Sequence, residues 1–328
     1  MVNFNGKSVL ITGGAGFIGS NIAFFLQKNF PECEITIFDL FNNFQRLENG
    51  NFKSLGNFKN LIGFKGKIIC GDIAERSDLK FLDNSKYDYI FHQAAISDTR
   101  VYDQELIMRT NVNSFYYFLD KCCLDKTIMV YASSAATYGS LNSPQKIGKE
   151  SPENPYGYSK YIMDQIANKY TQINKDLKIF GLRFFNVYGP KEFHKGKTSS
   201  MIIQLGHQIL NNSNPRLFEN SENIFRDFVY IEDVVKANIL AASSSRSGIY
   251  NIGSGISRSF KDIVDILQKQ LGTNLDIEYF KNPYSDYQMN TCADISSSKK
   301  FLNFEPSFTL EDGIKSYISD IKETFLTK

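Results

Sequence analysis

Short, mainly apolar runs recur along the first half of the chain, at residues 8–12, 34–38, 67–70, 89–92, 128–131 and 178–182. Runs of this length, closed by glycine or polar residues, are too short for buried helices and predict strands covered on both faces. Between several of them the apolar residues recur at helical spacing. Ile18, Ile22, Phe25 and Leu26 do so over residues 17–28, and helices are also predicted over 104–121 and 156–170. Strand and helix in alternation predict a parallel sheet with helices on both faces, which receives ligands beyond the carboxyl ends of its strands. Residues 42–66 break the rhythm and predict a long loop with basic and aromatic side chains, of the kind that is often functional. After Arg183 the alternation weakens. Helices are predicted at 200–210, at 260–271 and at 310–325, a strand end and helix within 227–242, and a strand at 248–252.

The first strand runs into Gly13-Gly14-Ala15-Gly16-Phe17-Ile18-Gly19, and the first helix follows. Gly13, Gly16 and Gly19 leave room for a pyrophosphate to approach the backbone, and the helix N-terminus offers free N–H groups and a partial positive charge. An acid, Asp39, stands at the end of the second strand, where it can accept from an adenosine ribose. Strand, glycine triplet, helix and acid together predict a dinucleotide site. The fold class is therefore α/β, a Rossmann doubly wound parallel sheet with a smaller C-terminal substrate-binding lobe. Residues 1–185, joined by about 225–256, form the dinucleotide-binding part, and 186–224 with 257–328 the lobe. The cofactor is NADP or NAD: Asp39 favours NAD, whereas Arg46 and Lys53 are candidate cations for a 2′-phosphate. Asp72, after the third strand, is a candidate for the adenine amino group or a simple helix-capping acid.

Tyr156 and Lys160 are four residues apart on a predicted helix and share one face. A phenol is a poor base at neutral pH, and a neighbouring ammonium is expected to lower its pKa. Tyr156 could then take the proton of a sugar hydroxyl while hydride leaves the same carbon. At the end of the fifth strand, Ser134 is the candidate to bind the reacting oxygen, with Ser133 and Thr137 as alternatives.

The glycine loop, this Ser-rich strand end and the Tyr-Gly-Tyr-Ser-Lys run resemble the extended short-chain dehydrogenase/reductase family of nucleotide-sugar epimerases and dehydratases. Longer runs, His92–Thr99, Phe184–Gly196, Arg226–Tyr230 and Leu55–Phe64, resemble the ADP-heptose 6-epimerase branch of that family. The resemblance implies Tyr156 as one acid/base supported by Lys160 and Ser134, and Lys195 as the second. Two such groups suit an epimerisation in which a planar ketone turns between loss and return of hydride. It implies Asn186 and Arg226 as substrate ligands, with Phe218 and Tyr287 lining the nucleotide-sugar pocket and Ser97 beside them. The cofactor-binding set takes in Phe17, Ile18, Ile73, Gln93, Ala94, Ala95 and Asn111 with Gly13, Gly16, Gly19, Asp39, Lys53, Asp72, Tyr156 and Lys160. The implied partner is a nucleotide-activated sugar, an ADP- or GDP-heptose, in lipopolysaccharide biosynthesis, and the implied assembly is a homo-oligomer. Two alternatives use the same motifs: an NAD-dependent 4-dehydrogenase of a GDP-heptose in capsule synthesis, and a non-catalytic dinucleotide-binding protein.

A formal net charge of +2 gives no basic tail for nucleic acid. The five cysteines include no C-x-x-C pair, and the three histidines show no metal spacing, so neither a metal site nor a disulfide framework is expected. The N-terminus lacks a signal peptide's basic and apolar regions, and no apolar run approaches the roughly 18 residues that span a bilayer. The expectation is a cytoplasmic protein without a membrane partner.

Overall fold

Strand and helix do alternate through the first half of the chain. The computed structural model describes residues 2–283 and 288–327. In chain order it runs β1 (Ser8–Thr12), α1 (Phe17–Asn29), β2 (Glu34–Asp39), β3 (Lys67–Cys70), α2 (Arg76–Asp83), β4 (Tyr89–His92), α3 (Gln104–Ile107), α4 (Ser114–Asp125), β5 (Ile128–Ser134), α5 (Pro155–Ile173) and β6 (Ile179–Phe184). There follow β7 (Asn186–Tyr188), α6 (Met201–Leu210), β8 (Arg216–Phe218), β9 (Phe225–Tyr230), α7 (Ile231–Ser243), β10 (Gly248–Ile252), β11 (Ser257–Ser259), α8 (Phe260–Leu271), β12 (Glu278–Phe280), α9 (Ser296–Leu302) and α10 (Leu310–Leu326).

Seven strands pair in the order β10-β6-β5-β4-β1-β2-β3, all parallel. The order reverses between β1 and β4, and that crevice is where a doubly wound sheet takes its ligand. Successive residues of a strand face opposite sides. Val9, Ile11, Ile35 and Ile37 join one apolar cluster with α1 and α7, while Leu10, Phe38 and Ile90 join another with α2, α4 and α5. Smaller sheets stand apart: β11-β9-β7, and β12 paired in parallel with β8. No helix among the described residues is long and apolar enough to cross a membrane.

Three differences from the sequence reading have physical causes. The helix expected over 104–121 is divided by a wide π-turn at Met108–Asn113, which turns Thr110, Asn111 and Val112 into the interior. Strand β6 continues to Phe184 through the buried Arg183, whose charge is matched by Asp164 at 2.8 Å and Glu150 at 2.6 Å. Strand β5 continues to Ser134, so both serines lie at its end.

Candidate active site

A cavity of about 560 Å³ opens at the carboxyl ends of the strands, lined by the segments that follow β1, β2, β3, β4, β5 and β6. Gly13 has φ +68°, and a Cβ there would stand 2.7 Å from the Ala94 amide nitrogen. A Cβ on Gly19 would lie 2.3 Å from the Gly13 carbonyl oxygen, so the turn closes only with glycine at both positions. Helix α1 begins behind this turn with Gly16 as its N-cap; no side chain caps it and no acid occupies its first turn. A bare helix start beside a glycine turn fits an anionic pyrophosphate, so these residues suit a dinucleotide.

At the adenosine end the expected roles shift. Asp39 lines the cavity but is only 6% exposed, and its carboxylate accepts from the amides of Ala15 and Phe41 at 2.9 Å. Burial pushes its carboxyl up against the pull of those bonds. Asp39 ties the glycine loop to β2 from within the cavity wall, a role the sequence reading does not contain. Lys53 and Asp72 both line the cavity and pair with each other at 2.7 Å, which neither separate expectation contains. Arg46 stacks on Phe52 at 4.4 Å and donates to the Gly50 carbonyl, outside the cavity lining. The long loop closes one wall with Leu47 and residues 51–56. It is held down by Asp98, which accepts from Asn49 at 2.9 Å and Asn51 at 2.6 Å, and by Glu48, which accepts from the Asp103 amide.

The chemistry-bearing side chains meet deeper in. Asn154 caps α5 by accepting from the Gly157 amide at 2.8 Å, which starts the helix at Pro155 and sets Tyr156 in its first turn. Lys160, 1% exposed, lies one turn on, with its Nζ 5.9 Å from the centre of the Tyr156 ring. Ser134 Oγ accepts from the Ala136 amide at 3.1 Å, and its hydroxyl is the one group that draws the Tyr156 phenol's pKa down. The alternatives are otherwise engaged: Ser133 donates to Asp164 at 3.0 Å, and Thr137 donates to the Ser134 carbonyl at 2.9 Å. Burial pushes the Tyr156 phenol up and the Ser134 bond draws it back, whereas burial takes Lys160 down to about 8 against the pull of Asp164. The expected lowering by Lys160 is not among the influences on the phenol, whose pKa is raised by burial with only Ser134 opposing.

Lys195 lines the same cavity, from the segment Phe193–Thr198, which kinks at Gly196, with its Nζ 5.4 Å from the Phe17 ring centre. Burial lowers its pKa and Glu192 opposes the shift. Phe17, Ile18, Ile73, Gln93, Ala94, Ala95, Ser97, Asn186 and Arg226 line the cavity too. Arg226 donates to the carbonyls of Phe225 and Gln288.

Two further expected residues do not line it. Asn111 is 1% exposed and clamps the Ile96 backbone, accepting from its amide at 2.9 Å and donating to its carbonyl at 3.0 Å, so it braces the wall from behind. Phe218 packs edge-on to Phe280 at 5.0 Å. Tyr287 lies outside the described residues. The sequence reading missed Asp98, Glu192 and the Asp164–Arg183 pair. Asp164 had a signal, since it lies eight residues after Tyr156 and four after Lys160 on the same face of α5.

A switch-point cavity with a glycine-lined helix start and a Tyr, Ser and Lys set defines a nicotinamide-dinucleotide enzyme of the Rossmann class. The profile of the NAD dependent epimerase/dehydratase family matches residues 9–253, and the chain belongs to that family. The expected enzyme class, an NAD(P)-dependent nucleotide-sugar epimerase, stands. The chain is 36% identical over 324 residues to an ADP-L-glycero-D-manno-heptose-6-epimerase of Brachyspira hyodysenteriae, covering 96% of this chain and 98% of that one. A crystal structure of the Helicobacter pylori ADP-L-glycero-D-manno-heptose-6-epimerase is 44% identical, with a TM-score of 0.87 and 97% of each chain covered. A UDP-N-acetylglucosamine 4-epimerase from Methanobrevibacter ruminantium, in complex with UDP-N-acetylmuramic acid, is 26% identical with a TM-score of 0.85, covering 97% and 98%.

Proposed function

We propose that the protein epimerises an ADP-activated heptose at C6 by removing hydride and returning it to the opposite face. The observation that carries this is the convergence of two proton-handling side chains, Tyr156 and Lys195, from separate elements on one cavity that also holds the glycine loop. A simple dehydrogenase needs one such group, whereas an epimerase meets its substrate oxygen in two orientations. The B. hyodysenteriae and H. pylori relatives, both named for this reaction, support the sugar and the carbon.

Gly13, Gly16, Gly19, Lys53, Asp72 and Gln93–Ala95 would hold the dinucleotide, and Ser97, Asn186 and Arg226 the substrate. When bound, an oxidised nicotinamide supplies a hydride acceptor and a positive charge. Tyr156 takes the proton of the sugar hydroxyl as hydride leaves its carbon. Ser134 donates to the phenolic oxygen, and Lys160 keeps a positive charge beside it. The resulting ketone turns, and Lys195 gives a proton to its oxygen as hydride returns. Residues 1–185 with 225–256 serve the dinucleotide and the remainder the sugar. A homo-oligomer in the cytoplasm completes the proposal.

The test is incubation of the pure protein with ADP- and GDP-heptoses, followed by NMR. The expected product is the 6-epimer of the ADP sugar without accumulating reduced cofactor. A released ketone with stoichiometric reduced cofactor would overturn the proposal in favour of net oxidation.

A further inference from the structure

Lys195 sits on an irregular segment between β7 and α6, and one side chain closes that segment at both ends. Glu192 is 0% exposed. Its Oε1 accepts from the Gly189 amide at 3.2 Å and the Ser200 hydroxyl at 2.7 Å, and its Oε2 from the Ser200 amide at 2.6 Å. Its carbonyl accepts from the Lys195 amide at 2.9 Å. The segment needs such a tie, because Gly189, Lys191 and Gly196 all have positive φ, at 142°, 75° and 57°. Building on Lys195 as the second acid/base, we propose that Glu192 is a positioning residue, stapling the loop that presents Lys195 to the cavity.

A carboxylate taken wholly out of water is costly unless hydrogen-bonded and faced by a cation. Glu192 has three donors, and Lys195 is the foremost influence drawing its raised pKa down. The other groups facing Glu192 come from α10. They are the Tyr317 phenol and Asp320, which burial pushes up to about 6 with Glu323 and Glu192 adding to the rise. The adjacent Lys191 is turned elsewhere, donating to the Asn60 carbonyl at 2.5 Å over the Phe24 ring. Removing the Glu192 charge leaves burial unopposed at Lys195, so the ammonium should give up its proton at lower pH.

The experiment compares Glu192→Gln, Ser200→Ala and Lys195→Ala over about pH 6 to about pH 10, in both reaction directions, with melting temperature and copurified cofactor as checks on folding. Glu192→Gln should lower kcat roughly 10- to 100-fold with KM within about twofold. In the direction where Lys195 donates its proton, the alkaline limb should move down by about one pH unit. Ser200→Ala removes one tie and keeps the charge; it should lower kcat roughly threefold or more and leave the limb in place. It carries the test should the glutamine variant not fold, since wild-type kcat there would remove the staple. Lys195→Ala with wild-type turnover would overturn Lys195 itself. An inactive Lys195→Ala beside an unshifted Glu192→Gln would overturn the role of Glu192 alone.

Discussion

The Tyr156 phenol is 9% exposed, and its surroundings hold its proton on: burial raises the pKa and the Ser134 bond alone draws it back. Lys160, brought down to about 8 by burial, keeps its charge near neutral pH and loses it as the pH rises through that value. The phenol therefore becomes a base only with additional positive charge close by, as an oxidised nicotinamide provides. This ties the acid/base step to the cofactor. Replacing Tyr156 by Phe should cost about 10²- to 10⁴-fold in kcat with KM little changed, the usual worth of a positioned acid/base. Steady-state kinetics checks it, and wild-type kcat in that variant would take the phenol out of the reaction. At this scale the sequence was readable where chemistry is local. Tyr156, Lys160 and Ser134 could be picked from spacing, because one helix face and one strand end suffice to gather them. The backbone ties of Asp39, the Ile96 clamp of Asn111 and the Lys53–Asp72 pair are not legible there, because they depend on partners distant in sequence.

Helix α5 carries Tyr156, Lys160 and Asp164 along one face. Asp164 is 0% exposed and accepts from Tyr131 at 2.8 Å, Ser133 at 3.0 Å and Arg183 Nε at 2.9 Å, so it fastens the helix to β5 and β6. The strand end that carries Ser134 is thereby fixed against the helix that carries Tyr156. Asp164→Ala leaves the buried Arg183 charge deprived of one of its two carboxylate partners, and should lower folding stability by about 3–5 kcal/mol, measured by denaturant unfolding. A loss below about 1 kcal/mol, the range of exposed pairs, would show that the network is not holding these elements. The buried strands were legible from apolar runs, because a strand covered on both faces has little else in it. The π-turn at Met108–Asn113 and the charged residue inside β6 were not. Both depend on inward hydrogen bonds and ion pairs to which hydropathy is blind.

Over the whole molecule, the seven-stranded sheet, its glycine loop and the cavity at its switch point follow from alternation and one motif, and these were legible in the sequence. The sugar side was less so. Short strands such as β7, β8, β11 and β12 pair with partners far along the chain, and Lys195 stands on a loop where spacing alone carries no weight. Its weight came from a resemblance, and the structure adds that it shares a cavity with Tyr156. The central claim is that hydride leaves one sugar carbon and comes back to it, with the cofactor unchanged at the end. The most direct measurement uses an ADP-heptose carrying deuterium on C6, turned over in ordinary water, with the 6-epimer analysed by mass spectrometry. The account predicts that the product keeps the deuterium at C6. A product in which that deuterium has been exchanged for solvent hydrogen would contradict it.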